Sequence, residues 1–238
     1  MNELNKVIKL GFTNCFLLEA KKGYLLIDTS YPNKYQDFVK KLQKAAISVK
    51  DINYILLTHH HDDHAGFVTE LKKDSNAAII VHQNALPFLE QGRSEEESNP
   101  LNFCTSALLS FFSIFHKFVY PPLEKVRKED IILVGDDFDI LKRELGIDGI
   151  IVHTPGHTRD SISVLLDDGS AFVGDVAMNF FNFCRIKYRP IIVQNLEEVF
   201  TSWEKILDHG AKKIYPAHGK PFSADRLLFN KNKFQEKK

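Results

Sequence analysis

Apolar residues along the chain follow two rhythms. Short runs rich in Leu, Ile and Val, closed by Gly, Asp or Lys, predict strands over 15–19, 24–28, 54–57, 77–82, 131–134, 139–141, 149–153, 161–166 and 171–175, with a last one starting at Lys213. Elsewhere apolar positions recur every three or four residues. Tyr35, Phe38, Val39, Leu42 and Ala45 define one amphipathic helix, and Phe67, Val68 and Leu71 begin a shorter one. Val199, Trp203, Ile206 and Leu207 define another, which ends near Gly210. Strand, helix and strand across 54–81 form a βαβ unit, and such units carry their ligand loops at the carboxyl ends of strands.

One stretch departs from both rhythms. A polar run from Gly92 to Pro100 leads into 101–120, which is crowded with Leu, Phe, Ile and Val and is ended by Pro121-Pro122. Asn102, Ser106, Ser110, Ser113, His116 and Lys117 interrupt it at helical intervals. We read a helical insertion at about 83–127 within a single domain spanning 1–238. A membrane span needs about 20 predominantly apolar residues, and this stretch is broken too often to be one. Left in water, its surface would cost about 25 cal/mol per Å², so it must pack on the core, cover a site or meet a second copy in a homodimer. In the covering role, Phe103, Leu108, Phe111, Phe112 and Phe115 are the substrate-pocket candidates, suited to an acyl or other apolar group.

The chemistry gathers where the 54–57 run gives way to Thr58-His59-His60-His61-Asp62-Asp63-His64-Ala65-Gly66. A buried strand ending in clustered ionisable groups reads as a functional loop. A histidine tag or low-complexity tract would sit at a terminus, with no apolar strand before it. His59 and His61, two residues apart, can converge on one point, while Asp63 and His64 face a second. Imidazole and carboxylate together are ligands for borderline divalent metals such as zinc.

Composition narrows the partners. Lys plus Arg equals Asp plus Glu at 31 each, so no overall field draws the chain to phosphate backbones, and nucleic acid is not expected. Cys15, Cys104 and Cys184 are odd in number and widely spaced, and read as buried thiols of a reducing compartment. The first six residues lack the apolar core of a secretory signal, which makes a cytoplasmic location the default.

The loop resembles the HxHxDH signature of the metallo-β-lactamase superfamily, matched here by His59, His61, Asp63 and His64. Further motifs follow in register: His157 in Pro155-Gly156-His157-Thr158, Asp175 in Gly174-Asp175 and His218 in Pro216-Ala217-His218-Gly219. The resemblance implies an α/β fold, a four-layer αββα sandwich with ligand loops at one edge. It implies two divalent metal ions, zinc by expectation with iron or manganese as alternatives. His59, His61 and His157 would hold one, Asp63, His64 and His218 the other, with Asp175 between. It also implies that Asp28, ending the second strand, lies beneath the site and orients a ligand, although a turn or cap role fits Asp28 equally well. His60, Asp62, His82, His116, His153 and His209 match no ligand position.

The same resemblance points to a metallo-hydrolase in which a hydroxide bridging the two cations attacks a small ester, lactone or thioester, with Asp63 orienting its proton. It disfavours penicillin-type substrates, since true β-lactamases of the superfamily carry cysteine or a differently placed histidine where this chain has Asp175. It disfavours glyoxalase II, whose additional helical domain would not fit in the residues after His218. A flavodiiron protein would carry glutamate in place of His61. The alternatives are a mono-iron dioxygenase acting on persulfides, a phosphodiesterase, and a non-catalytic binding protein, which would usually have lost ligands.

Overall fold

The computed structural model describes residues 5–94 and 99–235. The chain opens with β1 (Asn5–Leu10), β2 (Thr13–Glu19) and β3 (Tyr24–Ile27), an antiparallel meander. Helix α1 (Tyr35–Lys44) crosses over to β4 (Ile52–Leu56), which is parallel to β3. The short α2 (Asp62–Ala65) and α3 (Val68–Ser75) lead to β5 (Ala78–His82), parallel to β4. Then come α4 (Leu86–Gln91), β6 (Asn99–Pro100), α5 (Phe103–Phe115) and β7 (Ile131–Leu133), the last parallel to β5. The first sheet therefore runs β1-β2-β3-β4-β5-β7.

The second half builds the facing sheet from β8 (Gly149–His153), β9 (Ile162–Leu166) and β10 (Ser170–Phe172). Then follow β11 (Ile192–Val193), which pairs with β6 in a separate ribbon, and helix α6 (Leu196–Asp208). Strands β12 (Lys213–Tyr215) and β13 (Phe222–Ser223) and helix α7 (Asp225–Gln235) complete the chain. The second sheet runs β13-β12-β10-β9-β8, with β10 and β12 parallel.

Alternation along the strands makes the layers. On β2, β4 and β5, Cys15, Leu17, Ile55, Ile79 and Val81 face Phe38, Leu42, Phe67 and Leu71 of the first helical layer. Their neighbours Phe16, Leu18, Leu56 and Ile80 face inward, against Ile151, Ile162, Val164, Phe172 and Tyr215 of the other sheet. Leu165, Ala171 and Ile214 turn outward onto Val199, Phe200, Trp203 and Ile206 of α6. Helix, sheet, sheet, helix is the αββα sandwich.

Four expectations need correction. The 139–141 run is not a strand but leads into a π-helical turn, Leu141–Leu145. Asp137 Oδ1 accepts from the backbone N–H groups of Asp139 and Ile140, which caps a helical turn, and Leu141 and Leu145 are both buried in it. The long apolar helix is shorter than 101–120: it ends at Phe115, and His116 is extended. Cys104 and Cys184, 80 residues apart, form a disulfide, which leaves Cys15 as the buried thiol. Strands β1 and β13 and helix α7 belong to the fold although the apolar rhythm does not mark them.

Candidate metal centre

Five strand ends converge on one edge of the sandwich. Asp28 follows β3, the His59 loop follows β4, His157 follows β8, Asp175 follows β10 and His218 follows β12. The sheets are stitched together there: Asn14 donates from its backbone N–H to the Ala217 carbonyl and from its amide to the carbonyls of Pro216 and Gly219. Gly174 sits at φ +52°, where a Cβ would lie 2.4 Å from the Thr58 hydroxyl oxygen, so only glycine lets the Asp175 turn approach the histidine loop this closely.

All seven residues singled out as ligands meet at this edge. His59 Nε2 lies 3.1 Å from His61 Nδ1, and His157 Nε2 lies 3.2 Å from each of them. A tetrahedral zinc with Zn–N of about 2.0–2.1 Å holds its nitrogens about 3.3–3.4 Å apart, so this triangle has the size of one tetrahedral face. A second group joins His218 Nε2 to Asp63 Oδ2 at 3.0 Å and His64 Nε2 to Asp63 Oδ1 at 3.6 Å. Asp175 stands between the groups: Oδ1 is 3.4 Å from His218 and 3.5 Å from His64, and Oδ2 is 3.9 Å from His157. Three sets of donor atoms arise: His59, His61 and His157; Asp63, His64 and His218; and, across them, His59, His64 and Asp175.

The donor set fits divalent cations. His64 Nε2 and Asp175 Oδ1 are buried yet lack a hydrogen-bond partner among the described residues, an arrangement a bound cation would satisfy. Burial, reinforced by neighbouring histidines, holds the His59 and His61 imidazoles well below their ordinary pKa, and burial also lowers His157. These rings are neutral at pH 7 and keep their lone pairs. Burial would raise the Asp63 carboxyl, but His64 and His218 outweigh it and hold it ionised. Burial lowers His218, yet Asp175 and Asp63 overcome that and push it up to about 9. Without a cation, a proton therefore occupies the second group.

Three of the rings are aimed from behind. Asp28 Oδ2 accepts from His64 Nδ1 at 3.0 Å and from the Thr58 hydroxyl at 2.8 Å, while Oδ1 accepts from the Thr58 backbone N–H at 2.7 Å. Asp28 thus grips the root of the loop and one of its histidines. The Ile192 carbonyl holds His157 Nδ1 at 2.9 Å, and the Phe12 carbonyl holds His218 Nδ1 at 3.0 Å. In each case the other nitrogen is left for the site.

The histidines and the aspartate that match no ligand position divide. His60 is buried, pairs with Asp160 at 2.9 Å and stacks on Phe88. Asp62 accepts from the Ser94 hydroxyl and pairs with His116, which follows α5. His82 and His153 stack on each other, and His209 lies beside Phe138.

The pocket candidates are not brought together. Leu108 packs beside Met178, Cys184 and Ile186, whereas Phe103, Phe111 and Phe112 are exposed, and the Phe115 side chain lies outside the described residues. Tyr31 was missed. Its ring contacts His116, and burial, with the charges of Asp63, Asp62 and Asp175, pushes the phenol pKa up, so it stays a donor beside Asp63. The available signal was an aromatic residue three positions after Asp28.

Comparison with known proteins agrees with this geometry. The family profile described as the metallo-beta-lactamase superfamily matches residues 8–218. A beta-lactamase-like protein 2 homolog of Caenorhabditis elegans is 27% identical over 212 residues, 87% of this chain; the match spans only 56% of that protein's length. A probable metallo-hydrolase of Methanocaldococcus jannaschii is 26% identical over 220 residues, 92% of each chain. Among solved structures, a metallo-beta-lactamase family protein of Thermus thermophilus superposes with TM-score 0.70 at 18% identity, covering 98% of this chain and 80% of that one. An archaeal superfamily protein of Sulfolobus tokodaii gives 0.63 at 23%, covering 98% and 87%. At these identities the solved structures show the fold alone.

Proposed function

The chain belongs to the metallo-β-lactamase superfamily, and from that premise we propose a metal-dependent hydrolase with a two-cation site, zinc by preference, acting on a small ester, lactone or thioester. The observation that carries this reading is the convergence of seven nitrogen and oxygen donors in two groups that share Asp175. Divalent cations bound there would supply Lewis acidity and lower the pKa of water toward about 7.

The chain's own residues supply the rest. Asp63, ionised and facing the cleft, accepts the proton of the attacking water. The Tyr31 phenol directs its single O–H toward Asp63 and so holds that carboxylate in place. His116 and Ser94 hold Asp62 from the side of the insertion, which fixes the loop at the mouth. No described helix is long and apolar enough to cross a membrane. A cytoplasmic location remains part of the proposal, and so does one domain with an insertion. The Cys104–Cys184 bridge bears on the first, because disulfides persist chiefly in oxidising compartments.

The test is a panel of esters, lactones, thioesters and phosphodiesters offered to the metal-loaded protein. Cleavage of carbonyl substrates, lost in Asp63→Asn, is expected. Cleavage of phosphodiesters alone, or of nothing, would overturn the reading.

A further inference from the structure

Around the cleft, the surface combines features that the hydrolase reading leaves unused. One flank of α5 is seated: Leu101, Cys104 and Leu108 pack on Met178, Ile186 and Ile191, and Asn102 donates to the Cys184 carbonyl at 3.0 Å. The opposite flank turns apolar side chains to water, with Phe103 89% and Ile114 71% exposed. The disulfide brings Phe183, 72% exposed, next to this helix. From there aromatic rings run inward without a gap: Phe183 to Phe181 at 5.7 Å, Phe181 to Phe180 at 4.2 Å, and Phe180 to His218 at 6.3 Å. A continuous apolar surface thus reaches from solvent to the metal centre.

The backbone of this loop is held against its preference. Phe181, Arg185, Lys187 and Tyr188 all have positive φ, between 44° and 67°. Left-handed conformations at non-glycine residues are costly and gather at functional segments. Here they accompany an outward-turned Phe183, Arg185 and Lys187, all exposed.

Charge decides the occupant. In a chain with equal numbers of acids and bases, the segments 99–120 and 176–193 contain no Asp or Glu, yet carry the exposed Lys117, Arg185 and Lys187, while Arg189 is half-buried over Phe234. Glu95, Glu96 and Glu97 precede β6 and lie outside the described residues. Two copies meeting through this face would bring like charges together. An anionic bilayer would meet the cations with its headgroups and the phenylalanines with its acyl boundary. We propose that the outer flank of α5 and the Phe181–Tyr188 loop dock on an anionic lipid surface, presenting the metal cleft to molecules held at that interface. This goes beyond the hydrolase reading and stands even if every ester tested is left intact.

The test is flotation of the full chain with vesicles of phosphatidylcholine alone and of phosphatidylcholine mixed with phosphatidylglycerol. Binding is expected to the mixed vesicles only and to weaken with salt. Lys117→Gln and Lys187→Gln should each reduce partitioning about fivefold, because a cation near such a surface contributes about that factor. Phe103→Ser combined with Phe183→Ser should abolish binding, while Phe138→Ser, at the β8 edge, leaves it unchanged. The lysine variants change exposed groups only and keep the test valid if the serine pair unfolds. No binding to either vesicle, or binding that none of these substitutions alters, overturns the proposal. A concentration-dependent dimer in sedimentation, lost on Phe103→Ser, would instead give the face to a second copy.

Discussion

Asp28 governs the metal centre without belonging to a donor set. It sits at φ +59° at the end of β3 and ties Thr58 and His64 to one carboxylate. Partners that aim a ligand are typically worth 10–100-fold in metal affinity. Asp28→Asn should therefore weaken binding of the cation proposed at His64 by about that factor in chelator competition, and an unchanged affinity would reduce Asp28 to a turn residue. Tyr31→Phe removes one hydroxyl, and the loss of a hydrogen bond worth about 1–1.5 kcal/mol predicts about a tenfold fall in kcat/KM with metal content intact. The metal-free protein should also respond to pH. His218 is raised above its unfolded value to about 9, so its contribution to stability is complete below about pH 6.5 and is lost as pH rises through about 9. Thermal unfolding of the metal-free chain should show that fall, and His218→Gln should reduce it, leaving the part due to His64, which Asp63 and Asp28 also raise. The candidate ligands were readable because they lie in short motifs that follow β4, β8, β10 and β12. Tyr31, Ser94 and His116 were not, because tertiary packing alone brings three distant segments to Asp62 and Asp63.

Helix α5 is the element whose role depends most on a contact far away in sequence. Thr105 and Asn102 form a reciprocal cap at its start, and the Cys104–Cys184 bridge pins its first turn to the loop beside His218. Closing a loop of this length restricts the unfolded chain by about 4 kcal/mol. Reduction, or Cys104→Ser, should lower the denaturant midpoint accordingly, while an unchanged midpoint under reductant would show that the bridge does not form. Free-thiol titration of the denatured chain after rapid alkylation in the host tests the same point: one free thiol is expected, and three would show that the bridge is not formed there. Spacing of 80 residues conceals such a pair from any reading of the sequence. The 139–141 run misled for a different reason: three residues cannot separate a strand from a buried helical turn, and the Asp137 cap decided it. Strand β1 and helix α7 escaped because β1 carries lysines between its apolar positions and α7 is polar around most of its girth.

At the scale of the whole molecule the order of strands and helices was sufficient for the sandwich, since alternation on β2, β4 and β5 requires a layer on each face of the first sheet. Closure of the two sheets at one edge was not contained in that order. It rests on Asn14 reaching the Pro216–Gly219 turn and on Ile162 donating to the Thr58 carbonyl at 2.8 Å, contacts made only once both halves have folded. The same closure brings Asp175 from the second sheet between the histidines of the first, so metal binding and sheet docking should be coupled. A paired site requires that Asp175 join two cations. Metal content per chain after loading and gel filtration tests this directly in the wild type, His218→Ala and Asp175→Ala. Two equivalents, about one, and little of either are predicted in that order. One equivalent in the wild type, unchanged by His218→Ala, or equal losses in the two variants, would contradict a paired site bridged by Asp175.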